Sequence, residues 1–139
     1  MRQAIRHLTV EAPARGLVEF TSQVRGFVSE QRIQTGVLTI FCRHTSASLL
    51  IQENADPSVR RDLERYFATI APEDPTRYEH DAEGADDMPA HLRTSLTQVQ
   101  LSVPVERGQM VLGTWQGLYL FEHRREAPPR HIVLHLIGE

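Results

Sequence analysis

Three histidines of the chain lie in short polar segments that also carry carboxylates and hydroxyls. His44 is followed by Thr45 and Ser46, whereas His80 and His91 flank an acidic stretch. Imidazole and carboxylate groups are the usual protein ligands of zinc, manganese and iron, and imidazole is also the common acid–base group near neutral pH. These segments therefore predict a divalent-metal site or an acid–base site, with His44, His80 and His91 as its ligands.

Acidic and amide side chains near these histidines are candidates for a general base or for a group that orients a ligand. The catalytic candidates are His44, Glu53, Asn54, Asp56 and Glu83. Asp56 has a second explanation, because an Asp-Pro pair is a typical helix start at which the carboxylate caps free backbone N–H groups. Asp81, Asp86 and Asp87 are interpreted as solvating the loop. The spacing matches no His-Glu-x-x-His motif, so hydrogen-bonded structural histidines remain an equal alternative.

Two further segments could contact a ligand directly. Thr45, Ser46 and Ser48 supply hydroxyls and, in a bend between strands, backbone N–H groups suited to an anion. Trp115 and Gln116 lie between two glycines, where an aromatic face and an amide can meet a ring-shaped ligand. A Trp buried between two strands explains the second segment equally well.

All 15 basic residues are arginines, because the chain contains no lysine. This excludes Schiff-base chemistry and a lysine-type phosphate loop, so a bound phosphate would be held by arginine, backbone N–H groups or a metal. The single cysteine, Cys42, can form neither an internal disulfide nor a cysteine zinc cage. Its position beside an apolar run favours a buried, inert thiol over a nucleophile.

The overall composition is that of one ordinary globular domain spanning residues 1–139. A net charge of -3 with no basic face predicts neither nucleic-acid binding nor membrane-surface binding. The longest apolar runs fall far short of the roughly 20 residues that a bilayer span needs. The first residues contain no apolar stretch of signal-peptide length, so we expect a cytoplasmic protein.

The hydrophobic pattern predicts many short strands with a few inserted helices. Strands are predicted over residues 2–10, 16–20, 37–41, 48–51, 98–105, 109–113, 115–123 and 130–137, and helices over 57–69, over 88–96 and from a cap at Thr21 or Ser22 to about Gln31. Thr21 or Ser22 is the predicted cap of the first helix, and strand 37–41 is expected to be buried on both sides. The inward stripe of the second helix is predicted to be Val59, Leu63, Tyr66, Phe67 and Ile70. This order indicates an α+β fold with a mainly antiparallel sheet or sandwich, and the long polar loop 71–90 is expected to be functional or ordered by a partner.

Five ordered motifs of the chain resemble one known family. They are His44-Thr45-Ser46-Ala47-Ser48, Gln52-Glu53-Asn54-Ala55-Asp56-Pro57, His80-Asp81-Ala82-Glu83-Gly84, Ala90-His91-Leu92-Arg93 and Leu112-Gly113-Thr114-Trp115-Gln116-Gly117. In order and spacing they are similar to the YjbQ-like family, often named secondary thiamine-phosphate synthase. The resemblance covers nearly the whole chain and implies an α+β domain that assembles as a homotrimer, with a polar, metal-binding pocket near the subunit boundaries.

The family name also implies an activity. It is the joining of a hydroxymethylpyrimidine diphosphate to a thiazole phosphate with release of pyrophosphate, with zinc or magnesium as the expected cofactor. On this basis Thr45, Ser46, Ser48, Trp115, Gln116 and Glu122 are the substrate-binding candidates. The expected partner is a small phosphorylated metabolite. Two alternatives remain open, namely a metal-dependent phosphate-ester hydrolase and a non-catalytic trimeric protein that binds an anion or a metabolite.

Overall fold

Two antiparallel sheets and three helices form the computed structural model, which describes all 139 residues and confirms the α+β class. The strands are β1 (Arg2–Val10), β2 (Gly16–Glu19), β3 (Thr35–Cys42), β4 (Ala47–Glu53), β5 (Gln100–Glu106), β6 (Gln109–Met110), β7 (Gln116–Glu122) and β8 (Arg130–Gly138). The helices are α1 (Thr21–Gln31), α2 (Pro57–Ile70) and α3 (Asp87–Leu96), and a 3₁₀ turn, Pro75–Arg77, lies in the loop between α2 and α3. None of the helices combines the length and apolar character needed to cross a membrane.

The core lies between the two sheets. The larger sheet has the strand order β1-β8-β3-β5-β6 and the smaller has the order β2-β7-β4. Side chains alternate along each strand, so that every second residue enters the core. The inward residues of both sheets belong to one cluster, which includes Leu38, Ile40, Leu49, Leu118, Leu120, Leu134 and Leu136. Burial of this apolar surface is the main force that holds the sheets together and fixes the strand ends that carry the polar residues.

The prediction that residues 37–41 are buried on both sides is wrong. Leu38 and Ile40 are fully buried, but Val37 is 40% exposed and Phe41 is 42% exposed on the opposite face. Ile5 on the same face of β1, which is separated from β3 by β8, is 64% exposed. The continuous apolar run therefore reflects a strand with one face in the core and a second apolar face that no element of the chain covers.

The predicted cap of α1 is also wrong. The residue at the N-cap position is Phe20, which makes no side-chain capping bond, and Thr21 is already inside the helix. The Thr21 hydroxyl instead accepts a hydrogen bond from the Leu118 backbone N–H at 2.8 Å and donates one to Glu19 at 2.7 Å. Tertiary contacts with β7 and β2 thus replace the local cap.

The start of α2 is as predicted, whereas its inward stripe is only partly so. Asp56 caps the helix by accepting a hydrogen bond from the Ser58 backbone N–H at 2.9 Å. Only Phe67 of the predicted stripe is buried, and its ring meets the Phe121 ring edge-on at 5.3 Å. Tyr66 is 60% exposed and Ile70 is 43% exposed. The smaller sheet has only three strands and offers a narrow surface, so only a narrow strip of α2, centred on Phe67, is buried against it.

Candidate metal centre

Two histidines and an aspartate converge at the start of α3. Asp87 is the first residue of this helix and His91 follows one turn later, so that both side chains lie on the same face. His80 lies in the preceding loop, and its Nε2 is 2.7 Å from Asp87 Oδ2. The His91 Nε2 is 3.3 Å from the same oxygen, and the ligand atoms of all three residues lie within 4.8 Å of one another. Ligands bound tetrahedrally to zinc lie about 3.3 Å apart. The distance between His91 and Asp87 matches this value, whereas the distance between His80 and Asp87 is that of a hydrogen bond, so the three residues could hold a metal ion after a small separation of that pair.

The orientation of Asp87 is fixed by Arg124. The Arg124 guanidinium donates to Asp87 Oδ1 at 2.7 Å, to Asp86 Oδ2 at 3.1 Å and to the Glu83 backbone carbonyl at 2.8 Å. Asp87 is buried, with 2% of its side chain exposed. One arginine therefore ties the loop before α3 to the first turn of that helix and leaves Asp87 Oδ2 directed at the two histidines.

The charge state of Asp87 also suits a metal ligand. Burial alone would raise the pKa of its carboxyl group, but the hydrogen bond with His80 and the charges of His91 and Arg124 outweigh it and hold the pKa below the usual range. The carboxylate is therefore ionised at neutral pH. An ionised carboxylate and two imidazoles form a donor set that zinc takes in catalytic sites that keep one coordination position open.

The hydrogen bond at the far side of the His91 ring determines which nitrogen faces the centre. The His91 Nδ1 lies 2.9 Å from the Thr45 backbone carbonyl, which can only accept, so that Nδ1 carries a proton. In the neutral ring the Nε2 lone pair then points at Asp87 Oδ2, another lone-pair donor. This arrangement is repulsive unless a proton or a metal cation lies between the two atoms. A backbone carbonyl on the second nitrogen is the usual support of a metal-binding histidine.

His44, predicted as a third histidine ligand, is not brought to this cluster within the chain. Its Nε2 accepts a hydrogen bond from the His131 backbone N–H at 2.7 Å, and its Nδ1 lies 3.4 Å from the Arg130 guanidinium. Burial lowers the pKa of His44, and the charges of Arg130 and His131 lower it further. Both ring nitrogens thus face hydrogen-bond donors, and the third member of the cluster that could hold a metal ion is Asp87.

Asp87 and Arg124 are the residues that the sequence interpretation missed. Asp87 was interpreted as a solvating loop residue because the predicted helix began one residue later. Starting the helix at Asp87 would have placed its carboxylate four residues before His91, on the same helical face. No local signal marks Arg124, since it lies 37 residues after Asp87 and reaches it only in the folded chain.

Glu122, a predicted substrate-binding residue, is buried in a two-pronged ion pair with Arg130. The Arg130 Nε and Nη2 donate to the two Glu122 carboxylate oxygens at 2.6 and 2.5 Å, and Nη2 also donates to Ser46 Oγ at 3.0 Å. Glu122 is only 1% exposed. This pair braces the bend between β3 and β4 that carries His44, so the geometry favours a positioning role for Glu122 and Ser46.

Ser48 belongs to a buried hydrogen-bond chain behind this bend. Its hydroxyl lies 2.8 Å from His123 Nε2 and accepts a hydrogen bond from Thr97 at 2.6 Å. Burial lowers the pKa of His123 to about 3, with further contributions from nearby arginines. The other ring nitrogen of His123 is buried without a hydrogen-bond partner in the chain. Ser48 and a neutral His123 therefore join β4 and β7 to the end of α3.

A cleft of about 680 Å³ opens between the β3–β4 bend and α3, with His91 in its wall. It is lined by Phe41, Cys42, Arg43, His44, Thr45, His91, Thr94, Ser95 and Val99. The Cys42 thiol is buried, and burial raises its pKa to about 11, which agrees with an inert thiol. Thr94 Oγ1 is buried without a hydrogen-bond partner. The cleft thus combines apolar walls with polar groups beside the metal centre.

The remaining predicted residues lie at the other end of the smaller sheet. In the β4–β7 register Glu53 pairs with Gln116, whereas Ala47 pairs with Glu122, so about 20 Å of strand separates the two groups. Trp115 is 63% exposed, and Gln116 Oε1 accepts a hydrogen bond from the Gly113 backbone N–H at 2.7 Å. These residues do not join the histidines within one chain.

The polar side chains at this distant end have local partners. Glu53 Oε2 accepts a hydrogen bond from the Asp56 backbone N–H at 3.1 Å, and Asn54 donates to Glu19 at 3.3 Å. Asp56 is the helix cap described above. Glu83, by contrast, lies beside Asp87 at the metal centre and is exposed. Of the predicted acidic candidates, the structure brings only Glu83 to the histidines.

Comparison with known proteins gives relatives that span nearly the whole chain. The UPF0047 protein sll1880 of Synechocystis is 46% identical over 138 residues, which cover 99% of this chain and 94% of the relative. The UPF0047 protein YjbQ of Salmonella typhimurium is 45% identical over 135 residues, covering 96% and 97% of the two chains.

Solved structures show the same fold. An uncharacterized conserved protein of the yjbq/upf0047 family from Clostridium acetobutylicum has a TM-score of 0.81 and 31% identity, covering 96% of this chain and 99% of that one. A YbjQ-like protein of unknown function from Sulfolobus solfataricus has a TM-score of 0.85 at 23% identity, covering 99% and 97%, and supports the fold alone. The family model described as UPF0047 protein YjbQ-like matches residues 6–139. The chain therefore belongs to the UPF0047 YjbQ-like family.

Proposed function

We propose that the chain is a metal-dependent enzyme of small phosphorylated metabolites and that His80, Asp87 and His91 hold its divalent ion. One observation carries this proposal. The Thr45 carbonyl keeps the proton of His91 on Nδ1, so that the Nε2 lone pair faces an ionised Asp87 oxygen at 3.3 Å. A proton on the His91 ring or a metal cation relieves the repulsion between these two electron-rich atoms, and the approach of His80 to the same Asp87 oxygen favours a divalent ion such as zinc or magnesium.

The surroundings of the three ligands fit a reaction site better than a purely structural metal site. His80 is 47% exposed and His91 is 31% exposed, whereas Asp87 is buried. The open side of the centre thus faces solvent and the adjoining cleft, as catalytic sites with a free coordination position do. A bound divalent ion would polarise a phosphate oxygen and neutralise charge on a leaving phosphate group.

The chain's own residues would orient the substrate. Arg43 lines the cleft and has no acceptor in the chain, so its guanidinium is available for a phosphate group. Phe41 and Val99 offer apolar contact for a ring. Glu83, exposed beside Asp87, is positioned to accept a proton. The family resemblance implies joining of a pyrimidine diphosphate to a thiazole phosphate, with pyrophosphate as the leaving group.

We further propose that the protein works as a homotrimer. Ile5, Val37 and Phe41 form part of an apolar outer face on the larger sheet that no element of the chain covers. Phe41 belongs both to this face and to the cleft beside the metal centre. A second copy packed on the face would therefore help to close the cleft, and it could present a distant residue such as Trp115 to it.

Turnover measured with and without added metal tests the enzymatic proposal. We expect His80→Ala and Asp87→Asn to abolish metal-stimulated thiamine phosphate formation, whereas Arg61→Ala, which removes an exposed residue on α2, keeps it. Unchanged turnover in His80→Ala would remove His80 from the mechanism. Phosphate release without a second acceptor would favour a hydrolase, and absence of turnover together with no metal-dependent change in melting temperature would favour a binding protein.

Light scattering tests the assembly separately. We expect a mass three times the 15.8 kDa of one chain. Val37→Arg, which places a charge on the outer face of the larger sheet, should shift the protein toward the monomer, whereas Tyr66→Arg on the exposed side of α2 should not. A monomeric wild-type protein would refute the trimer without affecting the metal ligands.

A further inference from the structure

A second polar cavity lies at the opposite end of β3 from the metal centre. Its volume is about 410 Å³, and it is lined by Arg25, Val28, Ser29, Arg32, Gln34, Arg107, Gly108, Gln109 and Met110. This second cavity adjoins Gln34, which precedes the first residue of β3. The cleft beside the metal centre adjoins Cys42, which is the last residue of β3. The eight residues of the strand therefore hold the two cavities about 26 Å apart.

Three arginines line this cavity without any acidic residue among its walls. Arg25 lies on α1, Arg32 is the residue that follows the last turn of α1, and Arg107 lies in the β5–β6 turn. No hydrogen bond or ion pair within the chain engages the three guanidinium groups. Glu30, a nearby acid on α1, is paired with Arg6 at 2.7 Å, and the exposed Glu106 lies outside the lining. The cavity thus holds three uncompensated positive charges.

The end of α1 offers these arginines no internal acceptor. The last carbonyl groups of a helix usually attract nearby basic side chains. Here Arg2 already donates to the Gln31 carbonyl at 2.9 Å and to the Arg32 carbonyl at 2.6 Å. The helix end is therefore satisfied from β1, and the guanidinium groups of Arg25 and Arg32 are left for an external anion.

Two of the arginines occupy backbone conformations that usually favour glycine. Arg32, at the end of α1, has a φ of 55°, and Arg107, in the β5–β6 turn, has a φ of 53°. Glycine or asparagine is the common choice at a left-handed helix end and at the first position of such a hairpin turn. A hydrogen bond from the Gly108 N–H to the Gln34 carbonyl at 3.1 Å holds the turn against the segment that joins α1 to β3. Arg32 and Arg107 thereby line the same cavity although they are distant in sequence.

We propose that this cavity binds the phosphate groups of a small phosphorylated molecule, at a site separate from the metal centre. A planar guanidinium group can donate to two phosphate oxygens at once. Three guanidinium groups with no carboxylate among them favour a multiply charged anion. Val28 and Met110 supply an apolar floor for the remainder of the molecule. The site uses none of the metal ligands and extends the proposed function with a second anion-binding position.

Titration calorimetry with inorganic pyrophosphate, in buffer containing a chelator and no divalent metal, tests the site. The informative variant is the double substitution Arg32→Gly and Arg107→Gly, because glycine suits both left-handed positions and so removes the guanidinium groups without straining the backbone. We expect at least a tenfold loss of pyrophosphate affinity with an unchanged or raised melting temperature. The matched control, Arg61→Ala with Arg77→Ala, removes the same charge from exposed arginines elsewhere and should bind as the wild type does.

Two further measurements locate the site and identify the class of anion that it binds. Amide shifts of Ser29 and Gly108 should move on titration with pyrophosphate, in the wild type and equally in His80→Ala, which separates this site from the metal centre. Citrate, a carboxylate anion of similar charge, should bind more weakly than pyrophosphate. Unchanged affinity in the double glycine variant, shifts confined to other residues, or equal binding of citrate would overturn the proposal.

Discussion

The two ends of the smaller sheet carry the same kinds of residues in opposite environments. The braced end, formed by the half-buried Ser46 and the buried Glu122, His123 and Arg130, is held by an ion pair and hydrogen bonds. The open end is formed by Glu53 and Asn54, which are half-buried, and by Trp115 and Gln116, which are exposed, and its polar groups bond mainly to neighbouring backbone and loop groups. The comparison shows that polar residues at the two ends of one sheet can have different roles. Buried and paired residues hold the neighbouring bend in place, whereas residues with only nearby partners form an accessible surface.

The largest effect is expected from breaking the ion pair of the braced end. Arg130→Ala leaves the buried Glu122 carboxylate without its charged partner and with only the hydrogen bond from the Arg124 backbone N–H, which should lower the free energy of unfolding by about 3–5 kcal/mol. Denaturant unfolding measures this. The double variant Arg130→Met with Glu122→Gln removes both charges and should be clearly less destabilised. A loss below about 1 kcal/mol in Arg130→Ala would show that this end is not braced by the pair.

The second largest effect is expected in the pH dependence of stability, because His123 at the braced end is buried. His123 has a folded-state pKa near 3, below that of an unfolded histidine, so the unfolded chain binds an additional proton as the pH falls below about 6.5. The stability contributed by neutral His123 is therefore complete above pH 6.5 and is lost toward pH 3. Between pH 7 and pH 5 this linkage should cost about 2 kcal/mol of unfolding free energy.

The variant His123→Gln isolates this contribution, because glutamine can still bond to Ser48 and does not titrate. The loss of stability from pH 7 to pH 5 should be smaller in the variant than in the wild type by about the same 2 kcal/mol. Equal pH dependence in both proteins would mean that His123 is not buried as a neutral ring.

The smallest effect is expected at the open end. Trp115 is 63% exposed, so Trp115→Ala should change the unfolding free energy of a dissociated chain by no more than about 0.5 kcal/mol. Melting curves over a range of protein concentrations test this, because a loss that appears only in the assembled state would place Trp115 at a contact between copies. A loss above about 2 kcal/mol in the dissociated chain would contradict the exposed position of this ring.

Local patterns predicted most of the elements, since strand alternation and the Asp56-Pro57 helix start depend on neighbouring residues. They failed where a distant contact replaces a local one, as at Thr21, whose hydroxyl bonds to β7 instead of capping α1. They also failed at β3, because sequence alone does not show whether the second apolar face of a strand is covered within the chain.

The candidate site was predictable in part for the same reason. His80 and His91 lie within one short stretch, so their convergence could be expected from a loop that folds back on a helix. The presence of Asp87 in the cluster in place of His44 could not be predicted, because it depends on Arg124 and on the backbone N–H of His131, which are distant in sequence. The orientation of a ligand is set by such contacts rather than by the spacing of the ligand residues.

Zinc binding by the purified protein tests the central claim most directly. Titration calorimetry should give at least about a tenfold loss of zinc affinity for each of His80→Ala, Asp87→Asn and His91→Ala. His44→Ala should keep an affinity close to that of the wild type, because the His44 ring nitrogens face Arg130 and the His131 backbone. Loss of binding in His44→Ala equal to that in His80→Ala, or unchanged affinity in Asp87→Asn, would contradict a centre formed by His80, Asp87 and His91.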